Sequence, residues 1–429
     1  MEISYVGRLS RRLLSQEDLA APLDVVDKKA GMDYFTAATA ISKMGFAGNV
    51  ATSGNLGRAA QYWQDLLPKL KPGEQYLDCA GNATSDPVTE MYNVFACSPF
   101  GDETTGQGMI DFYGTDFSGN PGFATTLGNY YPTTLGPNTF FNHQFHSLFA
   151  WRSIGNADYN ALQVTLRKSL SRGVQFDFNY TYSKSMDVSS DAERVGFNGG
   201  LTSGLGGVIN TWDPGLQRGI SDFDTTHQIN ANWIVQLPFG KGKRFGANSG
   251  SAMDAVIGGW ELSGLTRWTS GFPVNIGNGA TWPTDWQLPG NATVVGPINA
   301  RTTQGVMKAG EPVVSVFPND LPDTFLCATC QQYGKGSFRH DFPGEVGNRN
   351  QVRGDGYSGF DMGLGKIWKM PYKETHTLSF RWEVFNVFNV NRFDVASITN
   401  GIDQGEAFGN YSGLLTSPRV MQFSLRYEF

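Results

Sequence analysis

From Met421 to the end of the chain, apolar and polar side chains alternate without a break. Met421, Phe423, Leu425, Tyr427 and Phe429 stand on one side, with Gln422, Ser424, Arg426 and Glu428 on the other. A period of two is the mark of a β-strand with one oily and one wet face. The pattern recurs at Val174, Phe176, Phe178, Tyr180 and Tyr182 against Gln175, Asp177, Asn179, Thr181 and Ser183, and in shorter form over 162–166, 229–237, 260–268 and 378–384. A face this rich in rings needs either a packed core or a lipid bilayer, and pattern alone admits both.

Composition narrows the choice. Charged residues make up 17% of the chain, below the usual quarter, and aromatic residues reach 13%. No heptad and no composition break appear, and the only helix-length apolar stripe is a weak one near Tyr34–Met44. A net charge of -6 with no basic cluster interleaved with aromatics excludes a nucleic-acid-binding surface. No apolar run is long enough for a transmembrane helix, and the first residues, MEISYVGRLSRRLLSQEDLA, lack the apolar core of a signal peptide. The mean hydropathy of -0.29 is nonetheless how a membrane barrel hides, because each of its strands gives a much weaker signal than a helix does. An amino-terminal part missing from the chain reconciles the two readings.

Counting back from Phe429, strands fall at 418–429, 376–390, 358–368, 258–271, 225–237, 174–186 and 160–170, and MEISYVGR supplies the upper part of an eighth. Their connections are lopsided. Ser171-Arg172-Gly173, PFGKGKRFG and MPYKE are short turns on one side, whereas 9–159, 187–224, 272–357 and 391–417 are long segments on the other. Short periplasmic turns and long outer loops are what an outer-membrane barrel shows. Loops this large suit a wide barrel, up to the 22-strand transporters with a plugged lumen. The expected fold is therefore all-β: an antiparallel transmembrane β-barrel with long extracellular loops. About eight strands are present, as the carboxyl-terminal part of a 22-strand barrel. Along the chain this gives a strand remnant at 1–8, a large extracellular segment at 9–159, and strands and loops over 160–429.

Four stretches carry a family resemblance: SIGNADYNALQVTLRKSLSRGVQFDFNYTYSKSMD (153–187), SDFDTTHQINANWIVQLPFGKGKRF (221–245), LSFRWEVFNVFNVNRF (378–393) and FGNYSGLLTSPRVMQFSLRYEF (408–429). They resemble the carboxyl-terminal barrel of Oar-like TonB-dependent receptors. The resemblance implies a protein of the Gram-negative cell outer membrane that takes up substrate with energy from the inner-membrane TonB system. The family's signal peptide, amino-terminal domain and plug have no counterpart here, so TonB is reached only through a missing plug. The resemblance also implies that the terminal aromatic, Phe429, is read by the barrel assembly machinery; the plainer reading of that ring is an interfacial girdle residue.

Residue types then assign candidate roles. Phe176, Phe178, Tyr180, Tyr182, Trp233, Trp260, Trp268, Phe380, Trp382, Phe423 and Tyr427 are expected to face lipid or form its aromatic girdles. Arg267, Arg381 and Glu383 fall on the opposite faces and are expected to line the lumen. Cys79, Cys97, Cys327 and Cys330 lie in outer segments, where an even count favours two disulfides, the local pairs first, with all three connectivities open. The Cys327-Ala-Thr-Cys330 spacing, the pair His143 and His146, and the group Asp222, Asp224 and His227 could each suggest a metal or redox site. Each reads better as a loop or strand-end feature, and no metal or cofactor is expected. No nucleophile elbow, HExxH or Walker A loop occurs, so no enzyme activity is expected. The functional expectation is a receptor or transporter barrel whose partners are outer-membrane lipid and an unidentified polar substrate (oligosaccharide, peptide or protein). The alternatives are a self-standing small barrel acting as adhesin or structural protein, and a secreted β-rich protein that binds carbohydrate.

Overall fold

The computed structural model describes residues 1–19, 26–66, 75–96, 149–190, 207–278, 290–319, 323–325, 334–370 and 372–429. Eight long strands dominate: β1 (Glu2–Asp18), β2 (Phe149–Ser171), β3 (Val174–Asp187), β4 (His227–Gln236), β5 (Trp260–Thr269), β6 (Ser358–Met370), β7 (Lys373–Phe385) and β8 (Val420–Glu428). They form one antiparallel meander in chain order, and the two-residue strand Gly219–Ile220 pairs with the end of β3. Among the described residues no strand pairs with the outer edge of β1 or of β8, so the sheet is open; near the end of β1 a single bridge joins Gln16 to Gly207, where the Val208 N–H donates to Gln16 O at 2.8 Å.

Every strand expected from alternation is present, next to the neighbour it was expected to have. The first hairpin is longer than the remnant at 1–8 and the outer segment at 9–159 suggest. β1 runs on to Asp18 and pairs with β2 back to Phe149. The alternation is hidden there because the register shifts between Arg11 and Leu13 and again between Leu13 and Ser15, with Arg12 at φ 56°. An inserted residue of this kind moves every later side chain to the other face.

Register fixes the faces. Phe423 lies opposite Trp382, Trp382 opposite Leu364, Leu364 opposite Leu262, and Leu262 opposite Val235. The neighbouring rows on that face carry Leu425, Phe380 and Trp260, and Met421, Trp233 and Phe176. One face of the whole sheet is thus apolar and the other polar. Gly264 sits under Trp233, where a Cβ would come within 2.2 Å of the indole, so this glycine lets the ring lie flat on the strand.

The long segments at the other end of the sheet fold on themselves. Val274, Ile276, Val316, Phe317, Phe338, Ile398, Ile402 and Phe408 form a buried cluster drawn from the β5–β6 and β7–β8 connections, with Phe317 and Phe408 stacked 5.1 Å apart. Among the described residues three helices form in the β1–β2 connection: α1 (Tyr34–Phe46), α2 (Arg58–Leu66) and α3 (Pro87–Ala96). Tyr34, Ile41, Tyr62, Trp63, Met91 and Tyr92 are buried among them. α1 buries Tyr34, Ala37, Ala38, Ile41, Ser42 and Gly45, which is helical spacing, and Asp33 caps it by accepting from the Thr36 N–H at 2.7 Å. A buried face made of Ala, Ser and Gly explains why its apolar stripe is weak in the sequence. α1 falls on the weak apolar stripe near Tyr34–Met44, whereas α2 and α3 form where no stripe is read in the sequence. α1 also meets the β5–β6 connection, where Phe46 lies 6.2 Å from Phe342 and the Lys43 ammonium 5.5 Å from the same ring.

Candidate functional site: the polar face of the sheet

A cavity of about 390 Å³ opens on the polar face. Its walls are Gln175 and Asp177 of β3, Asn232 and Ile234 of β4, Ser263 and Leu265 of β5, Asp361 and Gly363 of β6, and Arg381, Glu383 and Phe385 of β7. Five adjacent strands laid flat would spread over about 19 Å, so a single cavity lined from β3 to β7 means that the sheet curls with its polar face inward. The floor comes from β6. Over 359–365 its polar face alternates Gly359, Gly363 and Gly365 with the single side chain of Asp361, and Gly363 and Asp361 line the cavity.

The cavity holds more negative than positive charge. Arg381 Nη2 lies 2.6 Å from Glu383 Oε1, and Gln422 donates to the other carboxylate oxygen of Glu383. Asp177 accepts from Arg167 Nε at 2.8 Å and from Asn179 Nδ2 at 2.5 Å. Asp361 accepts the Asn386 N–H at 2.8 Å. Three carboxylates, one guanidinium and several amides in a curled sheet can hydrogen-bond hydroxyl, amide and cationic groups. No hydroxyl or thiol here is paired with a general base.

Above the cavity, the connections are tied to the strand ends by buried ion pairs. Arg349 donates to Asp187 at 2.6 Å and to Asp222 at 2.8 Å. Burial disfavours its charge, but the Asp222 and Asp187 carboxylates outweigh that and raise its pKa above the usual guanidinium value. Arg353 pairs with Asp224, which also accepts the Ser185 N–H at 2.6 Å.

Residues 1–422 match the family model of the outer membrane beta barrel domain. The chain belongs to that family. No curated protein and no solved structure matches it. Membership points to the outer membrane of a Gram-negative bacterium.

Within the barrel domain, the eleven residues expected to meet lipid share the apolar face by register. Trp260 and Trp268 sit at opposite ends of β5, about 27 Å apart along a strand, which at a tilt of about 35–45° spans about 19–22 Å of the ~25 Å apolar band of an outer-membrane barrel. Trp260 packs edge-on against Trp368 and Phe380. Tyr427 hydrogen-bonds Tyr372 at 2.7 Å and also His376, and the Phe429 ring stacks 6.2 Å from Tyr427. Of the lumen candidates, Arg381 and Glu383 line the cavity. Arg267 lies on the same face opposite Gly359 and Asn230, nearer the long connections and outside the cavity wall. Asp177, Asp361 and the glycine floor are further components of the site; the alternation of Gly and Asp with Phe, Met and Leu along 359–365 is the sequence signal that marks them.

The group Asp222, Asp224 and His227 does not converge. The two carboxylates hold arginines, and His227 Nδ1 lies 2.8 Å from the Tyr180 hydroxyl. Among the described residues no cluster of His, Cys, Asp and Glu is placed to hold a metal. Cys79 is disulfide-bonded, while Cys97, Cys327, Cys330, His143 and His146 lie outside the described residues.

Proposed function

We propose that this barrel domain is the carboxyl-terminal wall of an Oar-like TonB-dependent receptor, which binds a polar substrate beneath its folded outer connections and passes it along the curled polar face. The observation that carries this reading is the cavity floored at Gly363 and walled by Asp177, Asp361, Arg381 and Glu383. Eight strands that curl yet stay open also fit a segment of a wide wall better than a small closed barrel with a filled interior. In this reading the barrel domain has no catalytic role. Energy coupling enters through a plug, outer-membrane lipid covers the apolar face, and the assembly machinery reads Phe429.

The test is a filled floor. A Cβ on Gly363 would meet only the Ser263 hydroxyl closely, at 2.9 Å, so the strand tolerates a side chain there. Gly363→Gln is expected to leave the protein folded in detergent while weakening its binding to arrayed oligosaccharides and peptides by about tenfold or more, the worth of one or two lost polar contacts. Equal binding by the variant and the parent would overturn the proposal.

A further inference from the structure

The side of the sheet that carries the short turns is strongly basic, although the chain as a whole is acidic. Across 167–173, 238–258 and 366–374 there are nine basic residues and two acidic ones, against a net charge of -6 for all 429 residues. The middle turn is also far longer than its neighbours and is built rather than loose. Gly240 N–H donates to Phe245 O at 2.9 Å, Phe245 N–H to Pro238 O at 3.0 Å, and Gly242 N–H to Ala247 O at 3.1 Å. A short helix, α4 (Ser251–Ile257), follows. The Asp254 carboxylate accepts the Lys241 backbone N–H, and against its one negative charge the turn carries three cations, Lys241, Lys243 and Arg244.

This ordered turn exposes oily and cationic groups together, three cations between Phe239 and Phe245, which corrects the expectation that no basic cluster is interleaved with aromatics. Phe239 and Phe245 lie 5.5 Å apart, the Arg244 guanidinium is 5.6 Å from the Phe245 ring, and Phe245, Met253 and Val256 are 50%, 57% and 65% exposed. Lys241, Lys243 and Arg244 are all exposed. The patch is continuous with the apolar face of the sheet. Trp260 and Trp368 donate to Val256 O at 2.8 Å and Ala255 O at 2.7 Å, and the Lys366 ammonium joins α4 to the same two indoles, 2.6 Å from Ala255 O. Rings at a membrane boundary with cations just beyond them match the layer where acyl chains give way to headgroups.

We propose that the 238–258 turn is a lipid-binding element, seated in the leaflet on the short-turn side and held there by anionic phospholipid headgroups through Lys241, Lys243 and Arg244. Charge complementarity and continuity with the lipid-covered face select this occupant. The proposal rests on the outer-membrane family and not on the receptor reading, so the two can fail separately.

The test uses the full chain in vesicles of phosphatidylcholine, with and without about 30 mol% phosphatidylglycerol, and follows hydrogen exchange of 238–258. A basic residue near an anionic surface is worth about fivefold in binding, so exchange there is expected to slow by about tenfold or more with phosphatidylglycerol and to recover in high salt. The Lys241→Gln/Lys243→Gln/Arg244→Gln variant, whose strands stay protected, is expected to lose the effect. Equal exchange in both vesicles, or protection that survives in the triple variant, would overturn the proposal. So would protection that appears only on adding a periplasmic extract, which would assign the turn to a protein partner.

Discussion

Asp86 shows how a single carboxylate organises the helical unit in the β1–β2 connection. It accepts from Ser53 Oγ at 2.5 Å, Ser53 N–H at 2.8 Å, Val88 N–H at 3.0 Å and Thr89 Oγ1 at 3.2 Å, capping α3 and tying it to the 50s segment. Burial works to raise its pKa, but these hydrogen bonds outweigh it and hold the carboxyl below the ordinary 3.8. A depressed pKa means that the folded state favours the ionised form. The stabilisation is then present above about pH 4 and drains away as pH falls through the lower folded value. Asp86→Ala is expected to cost about 1 kcal/mol, as for other lost caps. In hydrogen exchange of residues 75–96 the parent should loosen below pH 4, while the variant should already be loose at neutral pH and change less on acidification. An Asp86 site indifferent to both would contradict this account.

Among the elements, the strands were the most legible in the sequence, for a physical reason. A strand between lipid and lumen must alternate along its whole crossing, so Phe176 to Tyr182, Trp260 to Trp268 and Met421 to Tyr427 could be read straight off the chain. The upper part of β1 was not legible, because irregular pairing around Arg12 breaks the period. The packed long connections were hidden as well. Their core joins Val274 to Phe408 across more than a hundred residues, and no local period records a contact of that range. Arg349 belongs to the same category. Nothing near it in the sequence announces Asp187 or Asp222, yet it joins the β3 end to the β5–β6 connection. Removing one partner of a buried pair strands the other charge at a cost of about 3–5 kcal/mol. Arg349→Met is therefore expected to open residues 334–357 to limited proteolysis while β2 to β8 remain protected. Cleavage unchanged from the parent would show that the pair does not hold the connection.

Taken together, the eight described strands form one curled, open sheet. The cavity was half legible: Arg381 and Glu383 follow from alternation, whereas Asp177 joins them only because the sheet curls. Both edges of the wall lack a strand among the described residues, and in hydrocarbon each unmet backbone group costs several kcal/mol. In the membrane the wall must meet more strands or close on itself. Cysteines at Ser4 of β1 and Ser424 of β8, both on the polar face, distinguish the two. A disulfide needs Cα atoms within about 7 Å, so the pair and its near neighbours along each strand are expected to stay uncrosslinked in outer membranes if other strands intervene. Ready crosslinking would show a small closed barrel and remove the receptor reading.

The length of the first hairpin limits what that closure demands. β1 and β2 pair all the way to Asp18 and Phe149, whereas β3 stops pairing with β2 at Ala157. A tilted strand needs only about 9–11 residues to cross the bilayer. The far half of the hairpin therefore stands clear of the acyl chains, where the Val208 N–H meets the Gln16 carbonyl at 2.8 Å and water can reach groups of this edge that no strand pairs. Only the stretch before Arg12 calls for a neighbour, so even a short strand would be enough to seal that flank.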